Sequence, residues 1–153
     1  MITIRRSTSA DIPFISQHAY RLVDFGPPSW RDQPTMTKAD VAHNVKAVTT
    51  DDGTVEHFIA EDEQGNACGF LYMTMQTDYY TNEKHAHITD IVVIAEAEGQ
   101  GVGKALLQKG DEWARERGAR WITLNVFESN KHAQRVYEKA GYQKEWVKYL
   151  KEL

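Results

Sequence analysis

Three glycines at alternate positions, Gly99-Gln100-Gly101-Val102-Gly103, follow the apolar run Ile91-Val92-Val93-Ile94. After Lys104, the residues Leu106, Leu107, Trp113 and Ala114 recur at helical spacing. A strand, a glycine loop and a helix in that order leave main-chain N–H groups unpaired at a helix N-terminus, where the macrodipole is positive. Phosphate oxygens bind at such a place, and glycine removes the Cβ atoms that would hold a diphosphate off the main chain. Spacing excludes two common phosphate loops. A P-loop counted back from Gly103-Lys104 needs glycine where Glu98 stands, and Ser or Thr where Ala105 stands. A dinucleotide G-x-G-x-x-G begun at Gly99 needs glycine at Lys104. On its own the loop reads equally well as a phosphate cradle or as a tight strand-to-helix turn.

A second constellation runs from Leu124 to Tyr142, LNVFESNKHAQRVYEKAGY: a strand end, Ser129-Asn130, a helix carrying Tyr137, then Gly141-Tyr142. With the first, it resembles the GNAT (Gcn5-related) N-acetyltransferases. Their acetyl-CoA loop, [QR]-x-x-G-x-[GA], corresponds here to Glu98 through Gly103, with Glu98 in place of the usual Gln or Arg. The resemblance implies an α/β fold, with a mixed, mostly antiparallel central sheet of about six strands flanked by about four helices. It implies acetyl-CoA as the cofactor. The residues that would hold it are Ile91, Val92, Val93, Glu98, Gly99, Gln100, Gly101, Val102, Gly103, Lys104, Asn130 and Tyr137. A bulge in the fourth strand would turn an N–H near Val92 or Val93 toward the thioester oxygen, and fixed backbone donors of this kind stabilise an oxyanion strongly.

Acetyl transfer from a thioester to an amine needs the amine neutral and the departing thiolate stabilised. An alkyl ammonium of pKa about 10.4 is neutral at pH 7 in only about one part in a thousand, a handicap of about 4 to 5 kcal/mol, so a nearby base helps. By the resemblance Tyr137 is the acid that meets the sulfur, and Asn130 both caps its helix and supports the pantetheine arm. The resemblance puts a base at His87, and an imidazole suits that task near neutrality. Counting by twos sets His85, His87 and Thr89 on one face and Asp90 on the other, where it reads as structural. Glu128, a water chain or no dedicated base remain alternatives. His85 and His87 lack a third ligand of suitable spacing, so no metal is expected. The aromatic loops Phe25 to Arg31 and Tyr79-Tyr80 offer Phe25, Trp30, Tyr79 and Tyr80 as substrate-binding groups or as covers for the open end of the sheet.

These residues need a scaffold, and 153 residues suffice for one domain, 1–153, with a real core. The net charge of −4 argues against nucleic acid as a partner. No apolar run has membrane-spanning length, and the first residues lack a signal-peptide apolar region. The one cysteine, Cys68, reads as a buried apolar residue and suits the cytoplasm. Strands are expected at Ile2–Arg5, Val55–Glu61, Ala67–Thr77, His85–Ile94, Arg120–Phe127 and Tyr142–Tyr149. Helices are expected over about Ala10–Val23 (capped by Ser9), Lys38–Val48, Lys104–Arg117 and Asn130–Ala140. The expected activity is acetyl transfer to a small-molecule or peptide amine by direct attack in a ternary complex, since no Cys or Ser is placed to carry an acyl group. A non-catalytic acyl-CoA sensor and a protein lysine or N-terminal acetyltransferase are the rivals, and a homodimer is left open.

Overall fold

The computed structural model describes residues 1–153 and builds one five-stranded sheet in sequence order. β1 (Thr3–Arg6), β2 (Val55–Glu61), β3 (Ala67–Thr77) and β4 (Lys84–Val93) pair antiparallel in succession. β5 (Ile122–Leu124) joins β4 in parallel, so the sheet is mixed and mostly antiparallel. On one face Ile15 of α1 (Ile12–His18) packs with Ile59, Phe70 and Val92, and α2 (Gln33–Val48) lies beside it. On the other face Leu106, Leu107, Trp113 and Ala114 of α3 (Val102–Glu116) cover Phe58, Ala60, Leu71, Met73 and Ile88. The 3-4 spacing of those α3 residues makes one apolar stripe, which is why this helix lies flat on the sheet. Tyr137 of α4 (Lys131–Lys139) joins the same core.

The helix starts differ from expectation for local reasons. Asp11, rather than Ser9, fixes the first turn: its carboxylate accepts the Thr8 amide at 2.7 Å and a bidentate pair from Arg5 at 2.8 Å. The first helix is then short, flanked by tight turns at Ser9–Asp11 and Ala19–Leu22. α2 begins at Gln33, five residues ahead of Lys38, because Asp32 accepts the Thr35 amide at 3.0 Å. Pro34 sits in that first turn, where a missing N–H costs nothing. β5 is confined to three residues, and Tyr142–Tyr149 form no strand, so five strands stand where about six were expected.

One close approach positions the loop after β4. A Cβ on Gly69 would meet the Val92 carbonyl oxygen at 2.6 Å, Val102 Cγ1 at 3.1 Å and Leu106 Cδ1 at 3.2 Å. The first turn of α3 therefore docks on β3 only because residue 69 has no side chain. Gly69→Ala is expected to destabilise the fold by about 1 to 3 kcal/mol, the usual cost of overpacking. Urea unfolding should register a lower midpoint at unchanged slope; an unmoved midpoint would contradict the tight contact.

Candidate active site

The β4–β5 ladder runs from Ala86 opposite Ile122 to Ile88 opposite Leu124 and stops there. From Thr89 to Val93 the edge of β4 on that side has no strand partner. The divergence opens a cleft whose wall is unpaired main chain. At the same point β4 carries a bulge: Tyr72 lies opposite Asp90 while Met73 lies opposite Ile88, so Thr89 is an extra residue. The bulge resets the alternation. Thr74 and Tyr72, two apart on β3, share a face, and their partners His87 and Asp90 must share it too. Counting by twos had put Asp90 opposite His87; the extra residue corrects that. It sits in the fourth strand, as the resemblance implies, three positions before Val92, near which the N–H facing the thioester was expected.

Asp90 ends a line of buried polar groups. Asn44 of α2, fully buried, donates its Nδ2 to Asp90 Oδ2 at 2.7 Å and to the Asp40 carbonyl at 2.8 Å. Its Oδ1 lies 3.0 Å from His57 Nε2, and His57 Nδ1 lies 2.6 Å from Ser7 Oγ. Donor bookkeeping fixes the direction. Asn44 Oδ1 can only accept, so His57 Nε2 carries the proton, His57 Nδ1 accepts, and the Ser7 hydroxyl donates. Burial holds His57 neutral, its pKa pushed down to about 4. Burial pushes Asp90 up to about 7, against the Asn44 hydrogen bond, and the nearby Asp40 charge adds to the rise. No sequence signal marks Asn44 or His57; only the register of β4 brings them to the cleft.

The glycine loop has the form its spacing suggested. Gly99 and Gly101 adopt φ of +75° and +85°, and the space before each is open to 4 Å, room that a Cβ would fill. Gly101 is the N-cap of α3, and the amides of Gly101, Val102, Gly103 and Lys104 donate to no backbone carbonyl. This cradle fits a diphosphate. Glu98 pairs with Arg21, which also lies 3.4 Å from Asp24, so one cation is shared between two carboxylates. A cation from another segment thus stands where the loop itself lacks Gln or Arg.

Asn130 caps α4, accepting the Ala133 amide at 3.2 Å. The Tyr137 ring meets Tyr142 edge-on with centroids 5.9 Å apart. Its phenol is pushed up to about 12, mostly by burial and partly by the Asp90 charge, which places the two side chains within electrostatic reach of each other. His87 is buried with Nδ1 2.8 Å from Thr123 Oγ1, a tie between β4 and β5, and burial lowers its pKa. Phe25 stacks against Phe127 at 5.4 Å, and Ser129 Oγ donates to the Gly26 carbonyl at 3.3 Å. The Phe25–Trp30 loop therefore lies over the β5–α4 connection, with Trp30 half-exposed. Tyr79 and Tyr80 pack on each other at 5.1 Å in the β3–β4 turn. That is the opposite end of β4, about 20 Å of strand from Asp90. The fold does not bring these two to Phe25 and Trp30.

The sequence pattern of the Acetyltransferase (GNAT) family matches residues 19–142, most of the chain. The chain belongs to this family. Its members take acetyl-CoA as co-substrate, and the cradle and cleft are the parts that use requires. It is 28% identical to the uncharacterized N-acetyltransferase YdgE of Bacillus subtilis, over 82% of this chain and 79% of that one. It is 27% identical to the aminoalkylphosphonate N-acetyltransferase of Salmonella typhimurium, over 63% of each. Among solved structures, an acetyl transferase from Pyrococcus furiosus superposes with TM-score 0.79 at 27% identity over the whole of both chains. No helix is long and apolar enough to cross a membrane.

The raised carboxyl makes a stability prediction. Folded Asp90 keeps its proton up to about pH 7, whereas the unfolded group loses it near 3.9. The folded state binds the extra proton, so stability should fall as pH rises between those values and then level off. Chemical denaturation of the native chain and of Asp90→Asn from pH 4 to 8 checks it; the variant should lose this part of the decline.

Proposed function

We propose that this chain acetylates a primary amine, of a small molecule or an exposed amino group, with Asp90 as the base and Tyr137 as the group meeting the sulfur. The observation that carries the reading is that the bulge and the end of the β4–β5 ladder set Asp90, held by Asn44 at 2.7 Å and pushed up by burial to about 7, at the gap where the two strands diverge, with the Tyr137 phenol within reach of its charge. A base poised near the working pH is the favourable compromise between being deprotonated and taking a proton. Asp90 is preferred to His87 because the imidazole is tied to Thr123 and held below its ordinary pKa.

Asp90 takes a proton from the incoming ammonium, directly or through water, and leaves nitrogen a lone pair. The bound thioester supplies the electrophilic carbonyl and a sulfur leaving group. The alternate amides between Asp90 and Val93 that face away from β3 are placed to receive the negative charge that develops on oxygen. Tyr137, at about 12, holds its proton more tightly than an ordinary thiol of pKa about 8.5. The phenol therefore stabilises departing sulfur as a hydrogen-bond donor rather than by surrendering its proton, and the second proton that nitrogen loses as the C–S bond breaks goes to the thiolate, directly or through water. Asn44 aims the Asp90 carboxylate, and amides from Gly101 to Lys104 hold phosphate, with Asn130 supporting the donor arm. Phe25, Trp30 and Phe127 line the acceptor side.

A panel of amines, small molecules and peptides included, assayed for free thiol released from acetyl-CoA, tests the reading. We expect turnover whose kcat/KM rises with pH through about 7, because the base must be deprotonated. Asp90→Asn should cost about 10²- to 10⁴-fold and abolish that limb. Tyr137→Phe should lower kcat about ten- to a hundredfold with little change in donor affinity. Binding of acetyl-CoA without turnover of any amine would make the chain a sensor and end the proposal. Separately, Arg21→Ala should weaken donor binding, measured by calorimetry, since it uncovers Glu98 beside the cradle. Equal affinity would leave Arg21 outside the site.

A further inference from the structure

Asn44 can face Asp90 in two ways. In this structure both Nδ2 hydrogens are used, one on Asp90 Oδ2 at 2.7 Å and one on the Asp40 carbonyl at 2.8 Å, while Oδ1 faces His57 Nε2 at 3.0 Å. Turned over about its last bond, the same amide would set Oδ1 against Asp90 and Nδ2 against His57 in the same space. The two arrangements act oppositely on the carboxyl. An N–H favours the charged carboxylate, whereas a carbonyl can only accept from the protonated acid. The Asp40 carbonyl already belongs to the ladder of α2, so its bond to Nδ2 is a second one and discriminates less. The contact that separates the two orientations is His57.

The surroundings of His57 fix its Nε2. The ring is buried and lies stacked against Phe70 at 5.4 Å and Tyr72 at 6.1 Å. Ser7 stands beside it one step beyond the β1–β2 ladder, its amide donating to the His57 carbonyl at 2.8 Å. From there Ser7 Oγ reaches Nδ1 at 2.6 Å. The stack sets the plane of the ring, and Ser7 selects which way the ring turns within it. Nε2 is thereby aimed at Asn44.

We propose that His57 is a positioning residue of the cleft: the proton on its Nε2 holds Asn44 in the orientation that presents an N–H to Asp90, and Ser7 fixes the ring that carries it. The consequence for catalysis rests on Asp90 serving as the base. Without the Nε2–H, Asn44 Oδ1 has no donor, and the amide turns over toward the protonated carboxyl. The carboxylate then loses its Asn44 donor, so Asp90 keeps its proton to higher pH. Asp40 of α2, Tyr72 of β3 and Tyr137 of α4 lie within electrostatic reach of Asp90, and Asp11 within reach of His57. Substitution at His57 or Ser7 leaves all four in place.

Carboxyl ¹³C NMR of the ligand-free chain reads the titration of Asp90, its signal identified by loss in Asp90→Asn. The rising limb of kcat/KM is measured beside it. His57→Leu, which fills the space without a donor, should move both up by about one pH unit, the size of one hydrogen bond to a charged group. His57→Gln, whose amide N–H falls near the position of Nε2, should return both to the native value. Ser7→Ala, at a half-buried position, should move them the same way by less. Cooperative urea unfolding checks that each variant folds, and ¹⁵N NMR of the native chain should show His57 neutral with its proton on Nε2 from pH 6 to 8. A proton found on Nδ1 overturns the proposal whether or not the leucine variant folds. So does a carboxyl that titrates alike in the native chain and the folded variants. A carboxyl that shifts while the kinetic limb stays put would remove Asp90 as the base and uphold the hold of His57 on it.

Discussion

One extra residue in β4 governs the cleft. Thr89 bulges out of the ladder with β3, and every side chain beyond it changes sides relative to a regular strand. Asp90 and Val92 turn toward α1 and α2, while Ile91 and Val93 turn toward α3. The bulge falls one residue past Ile88, the last residue paired to β5, so reorientation and divergence coincide. The same strand can thus be an ordinary ladder member as far as Ile88 and an open wall beyond it.

Placing a carboxyl at that point carries a desolvation cost, visible in the upward push on Asp90. The cost is limited by the line Ser7, His57, Asn44, Asp90, in which every contact has a defined donor. Each member is satisfied by the next, so the network is compatible with a buried position where a lone carboxylate would not be. The line crosses from β2 through α2 to β4. It also pins α2 to the sheet at Asn44, and the loop preceding α2 is the one that lies over the β5–α4 connection. The proposed base and that loop are therefore mechanically linked through one amide side chain.

Much of this was legible in the chain, and what was not has a common cause. β2 and β3 begin and end where alternation and the Glu63–Asn66 turn put them. The glycine loop, Asn130 as a cap and Tyr137 in the last helix follow from local chemistry of their own segments. Asp90 was assigned to the wrong face because counting by twos presumes a regular strand, and a bulge leaves no mark in residue types. Asn44, His57 and Arg21 act through partners 46, 13 and 77 residues away, a pairing no local pattern encodes. The expected strand at Tyr142–Tyr149 has the composition of a strand, yet residues 143–153 belong to no element although the outer edge of β5 is unpaired, so composition alone does not make the ladder.

The two sides of the cleft differ in what holds them, and this explains why the donor was readable and the acceptor was not. On the donor side the contacts are main-chain amides at the start of α3, set by glycine φ values and by the close docking of α3 at Gly69. Backbone donors recognise phosphate whatever the surrounding side chains, so the glycine loop, read together with the Ser129-Asn130 to Tyr142 motif, points to the ligand class. On the side proposed for the acceptor, the surface is Phe25, Trp30 and Phe127, carried on loops and joined by one aromatic contact and one Ser129 hydrogen bond. Such a surface changes with each side chain while the scaffold stays the same. In the proposed reading, affinity for the common donor resides in the fold and choice among amines in a few exchangeable aromatic residues, an arrangement by which one scaffold can serve relatives that differ in acceptor.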